Sequence, residues 1–227
     1  MSVTEQRIAV SPTVEVTARR YPASPSRQAT LVLAHGAGAG QTHPFMVGVA
    51  TALAAEGIDV VTFNFPYVDA GRRTPDRAPV LEQTWRAVLA HVAAGLAPGV
   101  RLVAGGKSMG GRIASQVLAT DPEHAGVSRV SGLVLLGYPL HPPGKPDQLR
   151  TAHLPALATP ILLVQGTRDA FGTRDEVEPI FAALPTRVDF LFIEGGDHGF
   201  AVPRSSGRTS RDVMRDVTDR VAGWILG

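Results

Sequence analysis

The residues best suited to chemistry in this sequence are Ser108, Asp169 and His198, and each follows a strand-length apolar run. Ser108 lies in Gly106-Lys107-Ser108-Met109-Gly110, between an apolar run over 101–105 and a helix-period stretch over 110–120. Gly-x-Ser-x-Gly in that context is a nucleophile elbow, a turn so sharp that side chains two residues to either side of the serine would collide. The hydroxyl then projects above the sheet, beside the amides of a helix N-terminus, where negative charge is favoured. A hydroxyl is a weak nucleophile until a neighbouring base takes its proton. His198, in Gly195-Gly196-Asp197-His198-Gly199, is the candidate base, and Asp169, in Gln165-Gly166-Thr167-Arg168-Asp169, is the candidate acid that orients it. Such a set performs attack on a carbonyl, with the histidine as base and then acid.

Other readings of these residues are weaker. Gly106-Lys107-Ser108 has the end of a phosphate-binding loop, but Arg101 stands where that motif requires its first glycine. A purely structural glycine turn is the remaining alternative. Asp169 has rivals in Asp175, Glu194 and Asp197, although Asp197 adjoins His198 and neighbours in sequence rarely present their side chains to each other. His43, His91, His124, His141 and His153 have no partners at metal-ligand spacing. No metal and no organic cofactor is expected.

A tetrahedral oxyanion needs two convergent amide donors. One is expected from Met109, after the nucleophile. The other is expected from Ala37, in the small-residue loop His35-Gly36-Ala37-Gly38-Ala39-Gly40, where backbone can approach closely. The loop fails as a dinucleotide fingerprint because Gln41 replaces the third glycine. His35 is read as a support for the loop.

These loops need a frame of strands and helices to bring them to one edge. Apolar runs over 30–34, 59–65, 101–105, 130–137, 161–165 and 189–193 are nearly continuous, as in strands buried on both faces of a parallel sheet. Two further runs, 6–10 and 13–19, read as an N-terminal hairpin. Helical periodicity fills the intervals at 45–56, 79–96, 110–120 and 209–226. Thr173-Arg174-Asp175-Glu176 has the form of a capping box, with a kink or a second start expected at Pro179. The alternation predicts an α/β fold: a mostly parallel sheet of about eight strands with helices on both faces. The acid and histidine then fall at C-terminal strand ends, where such sheets build sites.

Composition limits the alternatives. The chain has 227 residues, 44% hydrophobic and 19% charged, and no cysteine, which excludes disulfides, thiolate metal sites and a thiol nucleophile. Twenty arginines and two lysines are interleaved with acidic residues, giving a formal charge of +2, so no nucleic-acid partner is expected. No basic-then-apolar leader and no run of spanning length is present, and a cytoplasmic protein without a membrane partner is expected. The length fits one domain over 1–227, with the proline-rich segment 138–160 as a short lid-like loop. In that segment His141, Lys145, Arg150 and His153 are candidate contacts to an anionic acyl or alcohol group, or else solvated loop charges. With so little chain for a cover, small or exposed acyl groups are expected.

From about residue 30 to the last helix, the sequence resembles the α/β-hydrolase fold superfamily, in which the order is serine, acid, histidine. It is most similar to small dienelactone-hydrolase-like serine hydrolases and to the hydrolase-like subunit of a histone acetyltransferase complex. The segments that carry the likeness are Gly105-Gly106-Lys107-Ser108-Met109-Gly110-Gly111-Arg112, Gly137-Tyr138-Pro139-Leu140-His141-Pro142-Pro143-Gly144-Lys145 and Gln165-Gly166-Thr167-Arg168-Asp169. The resemblance implies a dienelactone-hydrolase-like α/β-hydrolase topology, and the short chain left for a cover gives it a minimal lid. Two departures are a serine where dienelactone hydrolases use cysteine, and Lys107 beside the nucleophile. The combined expectation is a serine hydrolase of small-molecule carboxylic esters or thioesters. The alternatives are an acyltransferase and a non-catalytic interaction module.

Overall fold

A computed structural model of the chain describes residues 2–24 and 28–227. Its centre is an eight-stranded sheet. Strands β1 (Thr4–Ser11) and β2 (Val14–Tyr21) form an antiparallel hairpin, and β2 pairs antiparallel with β4 (Ile58–Phe63). From there β3 (Ala29–Ala34), β5 (Arg101–Lys107), β6 (Val130–Leu136), β7 (Ile161–Gly166) and β8 (Val188–Ile193) all run parallel, in the order β1-β2-β4-β3-β5-β6-β7-β8. The expected strands are present, with no end shifted by more than two residues.

Helices cover both faces. Side chains alternate across a strand, and β3 shows the consequence. Leu31 and Leu33 pack with α1 (Pro44–Ala55) and α6 (Ser210–Leu226), while Val32 and Ala34 face α3 (Ala78–Ala94) and α4 (Met109–Thr120). Each buried Leu, Val or Ile contributes about 1.5–3 kcal/mol of transfer free energy, which favours the uninterrupted apolar runs of the central strands. Two short elements have no apolar period to announce them: α2 (Pro66–Asp69) and a single turn at Leu154–Ala156.

The capping box at Thr173 is present, with the Thr173 amide donating to Glu176 Oε2 at 2.8 Å, and it opens α5 (Arg174–Ala182). That helix continues through Pro179 as one element, without the second start allowed by the sequence. Pro179 and Asp175 are both exposed, so the backbone bond that proline removes falls on the solvent side.

Segment 138–160 is tied to the body of the protein. Tyr138, Leu140, Leu154 and Leu157 are buried in the core that α3, α4 and α5 share. The lid-like role expected from the sequence gives way to a wall: Pro139 and Arg150 line the site cavity, and the exposed stretch 143–149 lines none of it. Burial of the four apolar anchors is the reason. No helix among the described residues is long and apolar enough to cross a membrane.

Candidate active site

The elbow between β5 and α4 is built by exclusion. A Cβ on Gly106 would lie 2.3 Å from the Gly111 nitrogen, and one on Gly110 would lie 2.5 Å from the Ala34 carbonyl oxygen. Only glycine lets the strand end, the helix start and the neighbouring loop pass so closely. Ser108, the residue at the apex, takes φ 51° and ψ −119°. Backbone in that region is strained for a residue with a Cβ and persists where the surroundings enforce it.

Asp169 and His198 reach Ser108 through a second close backbone approach. The turn after β7 presses on the turn after β8: a Cβ on Gly166 would meet the Gly196 carbonyl oxygen at 2.3 Å, and the Arg168 amide donates to that same oxygen at 2.9 Å. The two loops are thereby fixed to each other before any side chain is considered. His198 Nδ1 then lies 2.7 Å from Asp169 Oδ2, and His198 Nε2 lies 2.8 Å from Ser108 Oγ. A carboxylate only accepts, so Nδ1 carries the proton and donates to Asp169, leaving Nε2 to accept from the Ser108 hydroxyl. Asp169 is fully buried. The rival acids are engaged elsewhere: Asp197 Oδ1 accepts from the amides of Gly199 and Ala201, Glu194 faces Thr167, and Asp175 is on the surface.

Several contributors have roles that no motif announces. Gln165 Nε2 donates to Asp169 Oδ2 at 2.9 Å, and the Phe171 amide donates to Oδ1 at 2.8 Å, so both carboxylate oxygens are held. The Phe171 ring lies 4.2 Å from the imidazole of His198, centroid to centroid. Lys107 Nζ donates to the His198 carbonyl at 2.6 Å and sits over the rings of Phe45 and Phe200. Burial lowers the Lys107 pKa to about 8, against the upward pull of Asp169 and Asp197. The lysine therefore fastens the histidine loop to the elbow. One signal for Gln165 is present in the sequence, a polar residue directly after the apolar run Ile161-Leu162-Leu163-Val164.

The loop after β3 passes close to the nucleophile, since a Cβ on Gly36 would lie 3.4 Å from Ser108 Cβ. Ala37 and Met109 both line the cavity at Ser108. Met109 is the first residue of α4, so its amide has no acceptor within the helix. His35 is fully buried beneath this loop: Nε2 accepts from the Phe65 amide at 3.2 Å, and Nδ1 donates to the Gly36 carbonyl at 2.8 Å. Burial lowers its pKa to about 4, which keeps it neutral, and the two bonds fix its tautomer.

The cavity holds about 590 Å³, with Phe45, Met46, Leu81 and Phe171 among its apolar walls and Lys107, Asp76, Arg112 and Arg150 among its charged ones. Of the four residues expected to touch substrate, the structure brings Arg150 to this cavity. His141 is buried, with Nε2 3.2 Å from Glu176 Oε1, and Lys145 lies on the exposed stretch. His153 Nε2 lies 2.7 Å from Ser115 Oγ, and burial lowers its pKa to about 4. These three are placed away from Ser108 because the segment folds down onto α4 and α5. Among the described residues, no group of three or more His, Asp or Glu side chains is arranged to hold a metal ion.

Sheet order, elbow and the serine–histidine–aspartate relay define the α/β-hydrolase class of architecture. The profile of the alpha/beta hydrolase domain family matches residues 27–226. The chain belongs to that family. Among solved structures, it is similar over its whole length to an α/β serine hydrolase homologue from Coxiella burnetii, at 18% identity, TM-score 0.72 and 97% coverage of that chain. A dienelactone hydrolase from Anabaena variabilis matches at 19% identity and TM-score 0.72, covering 100% of this chain and 98% of the other. An α/β serine hydrolase without a lid, from Xanthomonas campestris, matches at 19% and 0.74, covering 100% and 97%. At these identities the likeness is one of fold. The narrower likeness to a histone acetyltransferase subunit rests on the sequence segments alone.

Proposed function

We propose that this protein is a serine hydrolase that cleaves carboxylic esters or thioesters through an acyl-enzyme intermediate. The observation that carries this reading is the unbroken relay Asp169–His198–Ser108, at 2.7 and 2.8 Å, beginning at a serine held strained on the elbow. Ser108 Oγ attacks the carbonyl carbon as His198 Nε2 takes its proton. Asp169, held by Gln165 and the Phe171 amide, keeps the imidazole oriented and stabilises the imidazolium. The oxyanion is received by the amides of Ala37 and Met109, and one such donor typically supplies about 3–4 kcal/mol of transition-state stabilisation. His198 then protonates the leaving alcohol or thiol. A water, deprotonated by the same nitrogen, releases the acid and restores Ser108. Lys107 holds the His198 loop through its carbonyl while the imidazole cycles between its charge states.

The test is a panel of esters and thioesters, combined with a fluorophosphonate label, on the wild type and on Ser108→Ala. Wild type is expected to label and turn over, and the variant to lose the label and at least about a ten-thousandfold in kcat. Ester turnover that survives Ser108→Ala would overturn the reading.

A further inference from the structure

The cavity carries a second chemical feature that the relay does not use. Two guanidinium groups, Arg112 and Arg150, line the same cavity as Ser108, and neither forms an ion pair among the described residues. Each has five N–H donors, and the protein occupies few of them. Arg112 donates to Gln116 Oε1 at 3.0 Å, and its buried Nε has no hydrogen-bond partner. Arg150 donates to the Pro139 carbonyl at 3.3 Å.

Two like charges facing one half-buried space repel each other. Burial lowers the Arg112 pKa, and the charge of Arg150 lowers it further, while Tyr138 and Glu82 oppose these effects. The acidic groups nearby are already in use. Glu82 is paired with Arg86 at 3.6 Å, and Asp76, on the cavity wall, accepts from Arg72 at 2.7 Å and from the Tyr67 amide at 2.9 Å. A folded protein seldom leaves two such cations uncompensated, because desolvating a charge without a partner is costly. An anion entering this cavity would relieve both the repulsion and the missing hydrogen bonds.

Position supports the same conclusion. The Arg112 amide donates to the Ser108 carbonyl at 3.0 Å, so Arg112 stands one turn beyond the nucleophile on α4. Its side chain lines the cavity that holds Ser108 and is steadied by Gln116, one turn further along the helix. Arg150 approaches from the other side, its backbone held by two bonds: its amide donates to the Leu140 carbonyl at 2.8 Å, and its carbonyl accepts from the Tyr138 hydroxyl at 2.6 Å.

We infer that Arg112 and Arg150 form an oxyanion-binding subsite, and that the substrate is an ester or thioester with a carboxylate or phosphate on its acyl or alcohol part. This rests on the serine hydrolase reading above. The charged group lies a few bonds from the scissile carbonyl, as in the half-ester of a short dicarboxylic acid. A planar fork binds carboxylate or phosphate through parallel N–H bonds that an ammonium cannot reproduce.

The experiment has a kinetic and a binding arm. The first measures kcat/KM for p-nitrophenyl hemiglutarate and for its neutral branched-alkyl isostere, and takes their ratio in wild type, Arg112→Gln, Arg150→Gln and Arg112→Lys. The ratio is expected to fall about ten- to a hundredfold in each Gln variant and to recover in part in Arg112→Lys. The second measures binding of glutarate, and separately of inorganic phosphate, by calorimetry on the same proteins carrying Ser108→Ala. One or both anions should bind, and the Gln variants should weaken binding by a similar factor. Glutarate alone identifies a carboxylate-bearing substrate, and phosphate alone a phosphorylated one. Neutral-ester turnover that depends on Ser108, with an unmoved ratio and no anion binding, overturns the subsite and leaves the hydrolase standing. Anion binding that requires the arginines, without turnover of any ester, keeps the subsite and overturns the hydrolase. Should Arg112→Gln fail to fold, Arg150→Gln and Arg112→Lys decide the same question.

Discussion

Two regions face each other across the cavity, and they are held in place by different physics. The elbow around Ser108 is fixed by steric exclusion, with backbone passing so close to Gly106, Gly110 and Gly111 that no other residue fits. Segment 138–160 is fixed by buried anchors and scattered hydrogen bonds: Tyr138 to Arg150, His141 to Glu176, His153 to Ser115. Exclusion acts over a few ångströms, between Gly106 and Gly111 and between Gly110 and the Ala34 and His35 carbonyls. The anchors of the segment find partners on α4 and α5, far away along the chain. The proposed nucleophile therefore sits on the rigid side, and one arginine of the proposed anion subsite, Arg150, on the side whose geometry depends on long-range contacts.

The largest effect expected breaks the rigid side electrostatically, without moving it. In Asp169→Asn, one of the two positions that now accept hydrogen bonds becomes an N–H. Gln165 Nε2 and His198 Nδ1 both donate to Oδ2, and the Phe171 amide donates to Oδ1, so either rotamer sets a donor against a donor. Turnover is expected to fall about ten-thousandfold, through loss of the correct imidazole tautomer. Steady-state kinetics, with circular dichroism to verify the fold, checks this.

The next test breaks the elbow sterically. Gly110→Ala places a methyl 2.5 Å from the Ala34 carbonyl oxygen and 2.6 Å from that of His35, both backbone atoms with nowhere to go. Overpacking of this kind costs about 3 kcal/mol, or roughly 6–12 °C in Tm for a chain of this size. The melting temperature should fall by that amount. Its staying within about 2 °C of wild type would mean that the elbow yields, and exclusion would no longer explain its geometry.

A pH titration compares the two regions directly, because each contains one histidine with a depressed pKa. His35, under the loop after β3, and His153, in the segment, both lie at about 4, chiefly through burial. In the unfolded chain each titrates near 6.5. Between those values the unfolded state holds the proton and the folded state does not, so stability rises with pH across the window and is lost as acid is added. His35 accounts for about 3 kcal/mol of that loss. Urea unfolding between pH 7 and pH 4 should show the slope, and His35→Gln and His153→Gln should each flatten it by a similar amount. A slope left unchanged by either substitution would mean that its imidazole is not kept neutral in that region of the folded protein.

The same contrast decides what can be read from the sequence. The order of the strands' apolar runs, the elbow and the Ser–Asp–His series are legible because each is written locally, in a period or a short motif. Ala37 and Met109, expected as neighbours of such motifs, line the cavity at Ser108. Gln165 and Lys107 stand inside the motif segments. Their bonds to Asp169 and to the His198 carbonyl, like the bond from the Phe171 amide to Asp169, are made by the fold and are not written in a motif. Arg112 stands in the elbow segment itself, but its meaning depends on Arg150, 38 positions further along the sequence. His141 and His153 carry the residue types of a binding loop and are occupied with structural bonds to Glu176 and Ser115. Residue type alone does not distinguish a histidine that meets substrate from one that holds a loop.

The smallest effect expected bears on what holds the segment. Tyr138→Phe removes one bond, from the hydroxyl to the Arg150 carbonyl, and leaves a ring that still packs against Phe181. One such bond is worth about 1 kcal/mol, or about 2–4 °C in Tm. Because that bond is one of two fixing the Arg150 backbone, the anionic-to-neutral ratio should fall by a few-fold alongside it. A lowered Tm with an unchanged ratio would separate the two roles: burial of Leu140, Leu154 and Leu157 would then suffice to place the guanidinium, and the hydroxyl would only stabilise. An unchanged Tm would go further, making the segment as much a product of packing as the elbow is of exclusion.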